Sequence, residues 1–280
     1  PALATRLYPP STGNFQNLNA QGRADLALEM ATSIRQGQLY GDCAFISAMI
    51  NKVRLSGFAW LNSQIQPNYL QDANGRRVLA GYRVRFWNFG EFPAAEVWAN
   101  VLIPNPAMRA MHGGTNNNSL WFTIYEIAYL QYRLNTGQVP PLATNFTGNY
   151  LQAAVAGEIA LSAIHNIQGL IGDHWNLDSQ LQGGSLAMEL NKPTAIMTAG
   201  TRSSFNLQMR NRLGELGLTL YPGHGYAVVG YNDMTGVVTL RNPHNNGSYL
   251  GGAQFTISLN DFRIFYNQLA SDRYAERPAP

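Results

Sequence analysis

Cysteine occurs once in these 280 residues, at Cys43. A single thiol excludes an internal disulfide framework and any cysteine-based zinc site. Lysine is almost missing too: Lys52 and Lys192 are the only two, so nearly all positive charge is arginine. Charged residues make up 12% of the chain, against roughly 25% in an ordinary soluble domain. The surface must therefore be rich in amides and hydroxyls, and Asn116, Asn117 and Asn118 run together. The formal charge is only +3, and apart from the pairs Arg76/Arg77, Arg83/Arg85 and Arg210/Arg212 the arginines are scattered. Those pairs read as a solvated face, and no nucleic-acid partner is expected. No apolar run reaches the roughly 18 residues that span a bilayer, because "LQAAVAGEIALSAI" is interrupted by Gly157 and Glu158. The first 19 residues lack the charged start and apolar centre of a signal peptide. Nothing in the composition separates a cytoplasmic from a secreted location.

What is present fits a folded globular protein. Apolar residues are 45% and aromatic residues 11% of the chain, which is long enough for one sizeable domain or two lobes sharing a cleft. Residues 23–35 read as a short helix, and Cys43 to about Val53 as a second one, apolar on most sides and hence buried. Arg76 to Trp87 alternates as a strand after the turn signal Asn74-Gly75. Residues 119–134 have helical apolar spacing with Ser119 as N-cap, and 150–167 form another helix. Beyond Gly172 short strand-like runs take over: "PTAIMTA", "LTLYP", "GYAVVGY", "VVTLR" and "AQFTISL". A helix-rich first part and a strand-rich second part make an α+β protein with two unlike lobes.

Cys43 sits where a loop becomes a helix. With Asp42 as N-cap it is the first helical residue, where the helix dipole and the N–H groups favour a thiolate. A reactive thiol also needs a base, a group that orients the base, and donors for the oxyanion. The stretch Tyr221 to Gly247 reads as a hairpin turning at Asn232–Gly236. If Tyr231 faces Val237, then Tyr226 faces Asn242, and His224 lies diagonally opposite Asn242 on the same face; a bulge breaks that register. His224 is flanked by glycines, which leave it room to approach a neighbour, whereas His112, His165, His174 and His244 show no comparable partners. Asp173-His174 as a metal pair lacks a second ligand set, and no metal site is expected.

These residues resemble the calpain-type branch of the papain-like cysteine peptidases. That family carries Gln-Gly-x-Leu-Gly-Asp-Cys at its central helix, then Gly-His-x-Tyr on a strand, then Arg-Asn-Pro at the end of the next. Here "QGQLYGDC", "GHGYAVVGY" and "LRNP" follow in that order, and "FWNFGEFPAAEVW", "LWFTIYEIAYLQYRL" and "ISLNDFRIFYNQL" extend the likeness over most of 30–270. The resemblance implies Cys43 as nucleophile, His224 as general base and then acid, and Asn242 as the residue orienting the imidazole. For the oxyanion glutamine it implies Gln36, with Gln38 as the alternate, because Tyr40 lengthens this loop by one residue. The chain departs from the family in three places. Ala44 replaces the aromatic after the cysteine, His244 replaces the tryptophan after Asn-Pro, and "VLIPNPAM" replaces the acidic residues of calcium-regulated members. The last departure puts calcium dependence in doubt, and no cofactor is expected.

The resemblance implies an α+β, papain-like two-lobe fold: a helical lobe with the nucleophile at 23–172 and an antiparallel β lobe with the histidine and asparagine at 173–272. Residues 1–22 are expected as an N-terminal extension and 273–280 as a tail. The implied function is a cysteine endopeptidase acting on protein or peptide through a Cys-His-Asn triad and an acyl-enzyme. The alternatives are acyl transfer to an amine by the same triad, or a catalytically silent interaction module of the same fold.

Overall fold

A computed structural model describes residues 6–36, 42–88, 95–115, 119–137, 160–169, 172–244 and 254–272. In chain order its elements are a 3-10 helix (Pro10–Asn17), α1 (Ala20–Ser33), β1 (Ile34–Arg35), α2 (Cys43–Gln64), β2 (Ile65–Gln71), β3 (Arg77–Trp87), β4 (Glu96–Leu102), α3 (Pro106–Met111), β5 (Gly114–Thr115) and α4 (Trp121–Asn135). They continue with α5 (Ala160–Gln168), β6 (Gly172–Asn176), α6 (Gly184–Leu190), β7 (Met197–Thr201), α7 (Leu207–Leu216), β8 (Gly225–Asn232), β9 (Val237–Arg241), β10 (Gln254–Ser258), α8 (Leu259–Phe265) and β11 (Tyr266–Asp272). Of the described residues, those within 6–42, 53–137 and 166–169 form one compact unit, and those within 43–52, 160–165 and 172–272 form the other.

In the first unit, α1 starts at Ala20 because Asn19 Oδ1 accepts the Gly22 N–H at 2.8 Å, a cap three residues earlier than the apolar pattern suggests. Strands β2, β3 and β4 make an antiparallel sheet in that order. The inward residues of β3 are Tyr82, Val84 and Phe86. Phe86 is fully buried among the α4 rings, 5.3 Å from Tyr125, 5.5 Å from Tyr129 and 4.9 Å from Tyr132. A ring buried this way stabilises by about 1.5–3 kcal/mol, with roughly 0.5–1.5 kcal/mol more per well-placed aromatic pair. Ser119 does not cap α4. Its backbone N–H goes to Thr115 Oγ1, while the N–H groups of the N-cap residue Leu120 and of Trp121, the first residue of α4, are satisfied by the carbonyls of Arg6 and Leu7 at 3.0 and 2.9 Å.

The second unit is built on an antiparallel sheet, ordered among the described residues β10-β9-β8-β7-β11-β6. Its core includes Met197, Ala199, Tyr226, Val228, Leu240, Phe262, Phe265 and Tyr266. The first turns of α2 belong to the same unit, and Phe45, Ile46, Ala48, Met49 and Ile50 on them are buried. One stripe of this helix is polar. Ser47 Oγ donates to Gly225 O at 3.2 Å and Asn51 Nδ2 to Met197 O at 2.6 Å, so Cys43, Ser47 and Asn51, four residues apart, mark the face that meets β8 and β7. Further along, α2 runs past the expected Val53 to Gln64 with a break at Gly57, whose φ of 67° suits glycine. The expected strand at "LTLYP" is absent. Gly217 ends α7 in the left-handed region and the Leu218 N–H returns to Leu213 O at 3.0 Å, so the apolar spacing there belongs to a helix cap, with Leu220 buried.

Candidate active site

Cys43 is the first residue of α2 and is partly exposed. The Gly225 N–H donates to its Sγ at 3.2 Å. That approach depends on glycine: a Cβ on Gly225 would lie 3.2 Å from Ala44 N, 3.3 Å from Ala44 Cα and 3.4 Å from the Cys43 carbonyl carbon.

The β8–β9 hairpin differs from the expected register at the turn and matches it further along. Tyr231 faces Val238, not Val237, but the register shifts between Val228 and Gly230, and from there Val228 faces Leu240 and Ala227 faces Arg241. The bulge thus restores the register that carries Tyr226 opposite Asn242. His224 Nε2 and Asn242 Oδ1 are 3.1 Å apart, both residues buried. Asn242 Oδ1 also accepts the His244 backbone N–H at 3.0 Å, which keeps the amide oxygen turned toward the ring. An oxygen can only accept, so Nε2 carries the hydrogen and Nδ1 holds the lone pair, the tautomer a general base requires.

Thr201, which sequence reasoning missed, holds the backbone of His224: its N–H and Oγ1 donate to His224 O at 3.0 and 3.2 Å, and its Oγ1 accepts the His224 N–H at 2.9 Å. Among the described residues three rings stand around the imidazole. His244 stacks on it at 4.7 Å and 7°, Tyr226 meets it edge-on at 4.9 Å, and Tyr221 lies 5.7 Å away. Burial, then the neighbouring His244, push the imidazole down to about 3, while the Asn242 bond pulls the other way; the ring is neutral at pH 7. Tyr226 is pushed up by burial and then by Cys43, so its hydroxyl stays protonated.

Asp42 occupies the N-cap position, but its side chain makes no capping bond, contrary to the expectation for α2. It is buried instead in a polar cluster of the first unit. Asp42 Oδ1 accepts from Gln36 Nε2 at 3.3 Å. Glu126 Oε2 accepts the His112 Nδ1–H at 2.7 Å and the Gly113 N–H at 2.9 Å. The other two oxygens, Asp42 Oδ2 and Glu126 Oε1, are buried and meet no other donor among the described residues, and the two carboxyl groups are hydrogen-bonded to each other. Two acceptor oxygens can pair only with a proton between them. Burial raises Asp42 well above the usual range and lifts Glu126 to about 7, while it pushes His112 down to about 4. His112, which shows no partner in the sequence, is thus tied to a residue 14 positions away.

Gln36 is buried and oriented by Asp42, whereas Gln38 lies outside the described residues. Asp173 and His174 stand on the edge strand β6, opposite Ser271 and Ala270. Among the described residues no group of three or more His, Cys, Asp or Glu could hold a metal ion, and no helix is long and apolar enough to cross a membrane.

The helices and antiparallel sheets define an α+β protein, as expected. The family model described as calpain family cysteine protease matches residues 24–254, and the chain belongs to that family, a calpain-like cysteine-type peptidase. No curated protein matches the chain.

Proposed function

We propose that the chain is an endopeptidase that cleaves protein substrates through Cys43, His224 and Asn242. The observation that carries this reading is the His224 Nε2–Asn242 Oδ1 bond, because it leaves Nδ1 as the basic nitrogen within the unit that also holds Cys43. In this mechanism Nδ1 takes the thiol proton, Sγ bonds to the carbonyl carbon of the scissile peptide, and the carbonyl π electrons move onto oxygen. The Cys43 N–H at the start of α2 is the proposed oxyanion donor. Collapse expels the amine, which takes the proton from the His224 imidazolium and leaves a thioester. Water, losing a proton to the same Nδ1, attacks the thioester and releases the acid and the thiol. We propose no requirement for calcium, since 101–108 offers no acidic side chain.

Labelling tests the reading. An E-64-type epoxide or iodoacetamide should modify Cys43 far faster than an ordinary thiol, with the rate falling in His224→Ala. Labelling at the ordinary rate, unchanged by His224→Ala, together with no cleavage of casein, would point to a silent module and overturn it.

A further inference from the structure

We infer that His244 is a positioning residue for the base: neutral, its ring holds the plane of His224, and protonated, it switches the base off, so the acid limb of peptidase activity is the titration of His244. The inference rests on the reading of His224 as the base.

The two imidazoles stack 4.7 Å apart with 7° between their planes, a closer and flatter contact than any other ring among the described residues makes with His224. The contact is anchored from the backbone, since the His244 N–H and the His224 ring share one acceptor, Asn242 Oδ1. The two rings differ in access: His224 is buried, whereas His244 is half-buried and open to protons from solvent. The groups facing this pair are Tyr221, 5.5 Å from His244, Tyr226, Asn242, Thr201 and the Cys43 thiol beside Gly225. The phenols, hydroxyl and amide carry no charge in acid. None of the ring, hydrogen-bond or ion-pair contacts of His224 and His244 among the described residues brings a carboxylate to offset a cation on His244.

Catalysis needs His224 to become an imidazolium when it takes the Cys43 proton. A second cation 4.7 Å away disfavours that step by a few hundredfold at an effective dielectric constant of about 20, and by roughly tenfold to a hundredfold with His244 half in water. His224 itself, held near 3, is too acidic to set the limb. His244 is pushed below its ordinary 6.5 by burial alone. An indole at this place stacks equally well and cannot acquire the charge, so the exchange of tryptophan for histidine adds proton sensitivity to a stacking role.

The test is kcat/KM on a fluorogenic peptide, and the iodoacetamide rate at Cys43, from pH 4 to 8 for the parent, His244→Phe and His244→Ala. Both variants should move the pH of half-maximal kcat/KM down by a unit or more, and the plateau of His244→Ala should fall about tenfold below that of His244→Phe, because one ring face is then unsupported. An acid limb in His244→Phe that coincides with the parent's overturns the inference. Should His244→Phe fail to fold, the neutral His244→Gln makes the same comparison. Full activity in Cys43→Ser or His224→Ala would instead overturn the reading of the site.

Discussion

Replacing Asp42 by asparagine should make the protein more stable relative to the parent as pH rises, an unusual outcome for a buried acid. Burial raises both Asp42 and Glu126, so the folded chain holds a proton on this carboxyl pair that the unfolded chain releases. Stability from such a raised pair is complete below the unfolded pKa, about 4.5 for Glu126, and is lost as pH climbs through the folded one, about 7. At 1.36 kcal/mol per unit, that window corresponds to about 3 kcal/mol. An asparagine supplies Nδ2–H to Glu126 Oε1 with no proton to lose, and its Oδ1 still accepts from Gln36. His224, pushed down to about 3, gives the opposite slope, stability rising with pH up to its ordinary 6.5, in both proteins alike; His112, pushed down to about 4 by burial, does the same, and loses in the variant only the upward pull of the Asp42 carboxyl. The quantity to measure is therefore the difference between parent and Asp42→Asn in urea unfolding, at half-unit steps from pH 4.5 to 7.5. The difference should shift steadily toward the variant as pH rises across this range, because Asp42, held by burial well above the usual range, has its own proton to lose. Parallel stability curves for the two proteins would refute the shared proton.

The remaining expectations concern the candidate site. Gly225→Ala places a Cβ 3.2 Å from Ala44 N and should push the start of α2 by a few tenths of an ångström, lowering kcat/KM by roughly tenfold to a hundredfold; parent-like kinetics with a normal melt would show that this contact does not position Cys43. Asn242→Ala should slow cleavage by about tenfold to a thousandfold, about 1.4–4 kcal/mol of barrier, with Cys43 still alkylated, whereas His224→Ala should leave no turnover. Should Asn242→Ala match the parent, another group holds the imidazole. Cleavage should continue in excess EGTA, and loss that calcium but not magnesium restores would mean that ligands come from other loops.

Features set by nearest neighbours were legible in the sequence. The helix starting at Cys43, the strand ending at Trp87 and the hairpin beyond Tyr221 each follow from a local period and a turn signal. Edge strands were not legible. In β2 only Ile65 is fully buried, and Pro67 interrupts the pattern, while in β6 no residue is fully buried; an edge needs little alternation because one side lacks a partner. The His112–Glu126 contact joins a loop to a helix with no shared period, and the Asp42–Glu126 contact is longer still in sequence. Capping failed twice for one reason. Ser119 and Asp42 have the right chemistry for an N-cap, but Ser119 is bound to Thr115 and Asp42 to Gln36 and Glu126, competition that a local motif does not display.

The bulge in β8 also makes the hairpin one residue longer than its pairing requires. Gly230 faces Thr239 and Val228 faces Leu240, so Val229 has no partner, and removing it would leave both neighbouring pairs where they are. The count of residues between His224 and Asn242 is therefore not what keeps them together. A hairpin of one residue fewer could present the same two side chains on the same face, losing only the extra twist that a bulge adds. Without the bulge, the turn's own pairing, carried unchanged down the ladder, would set Asn242 opposite Ala227 and on the face away from His224. The bulge thus absorbs Val229, which in a regular ladder would separate the base from the residue that orients it.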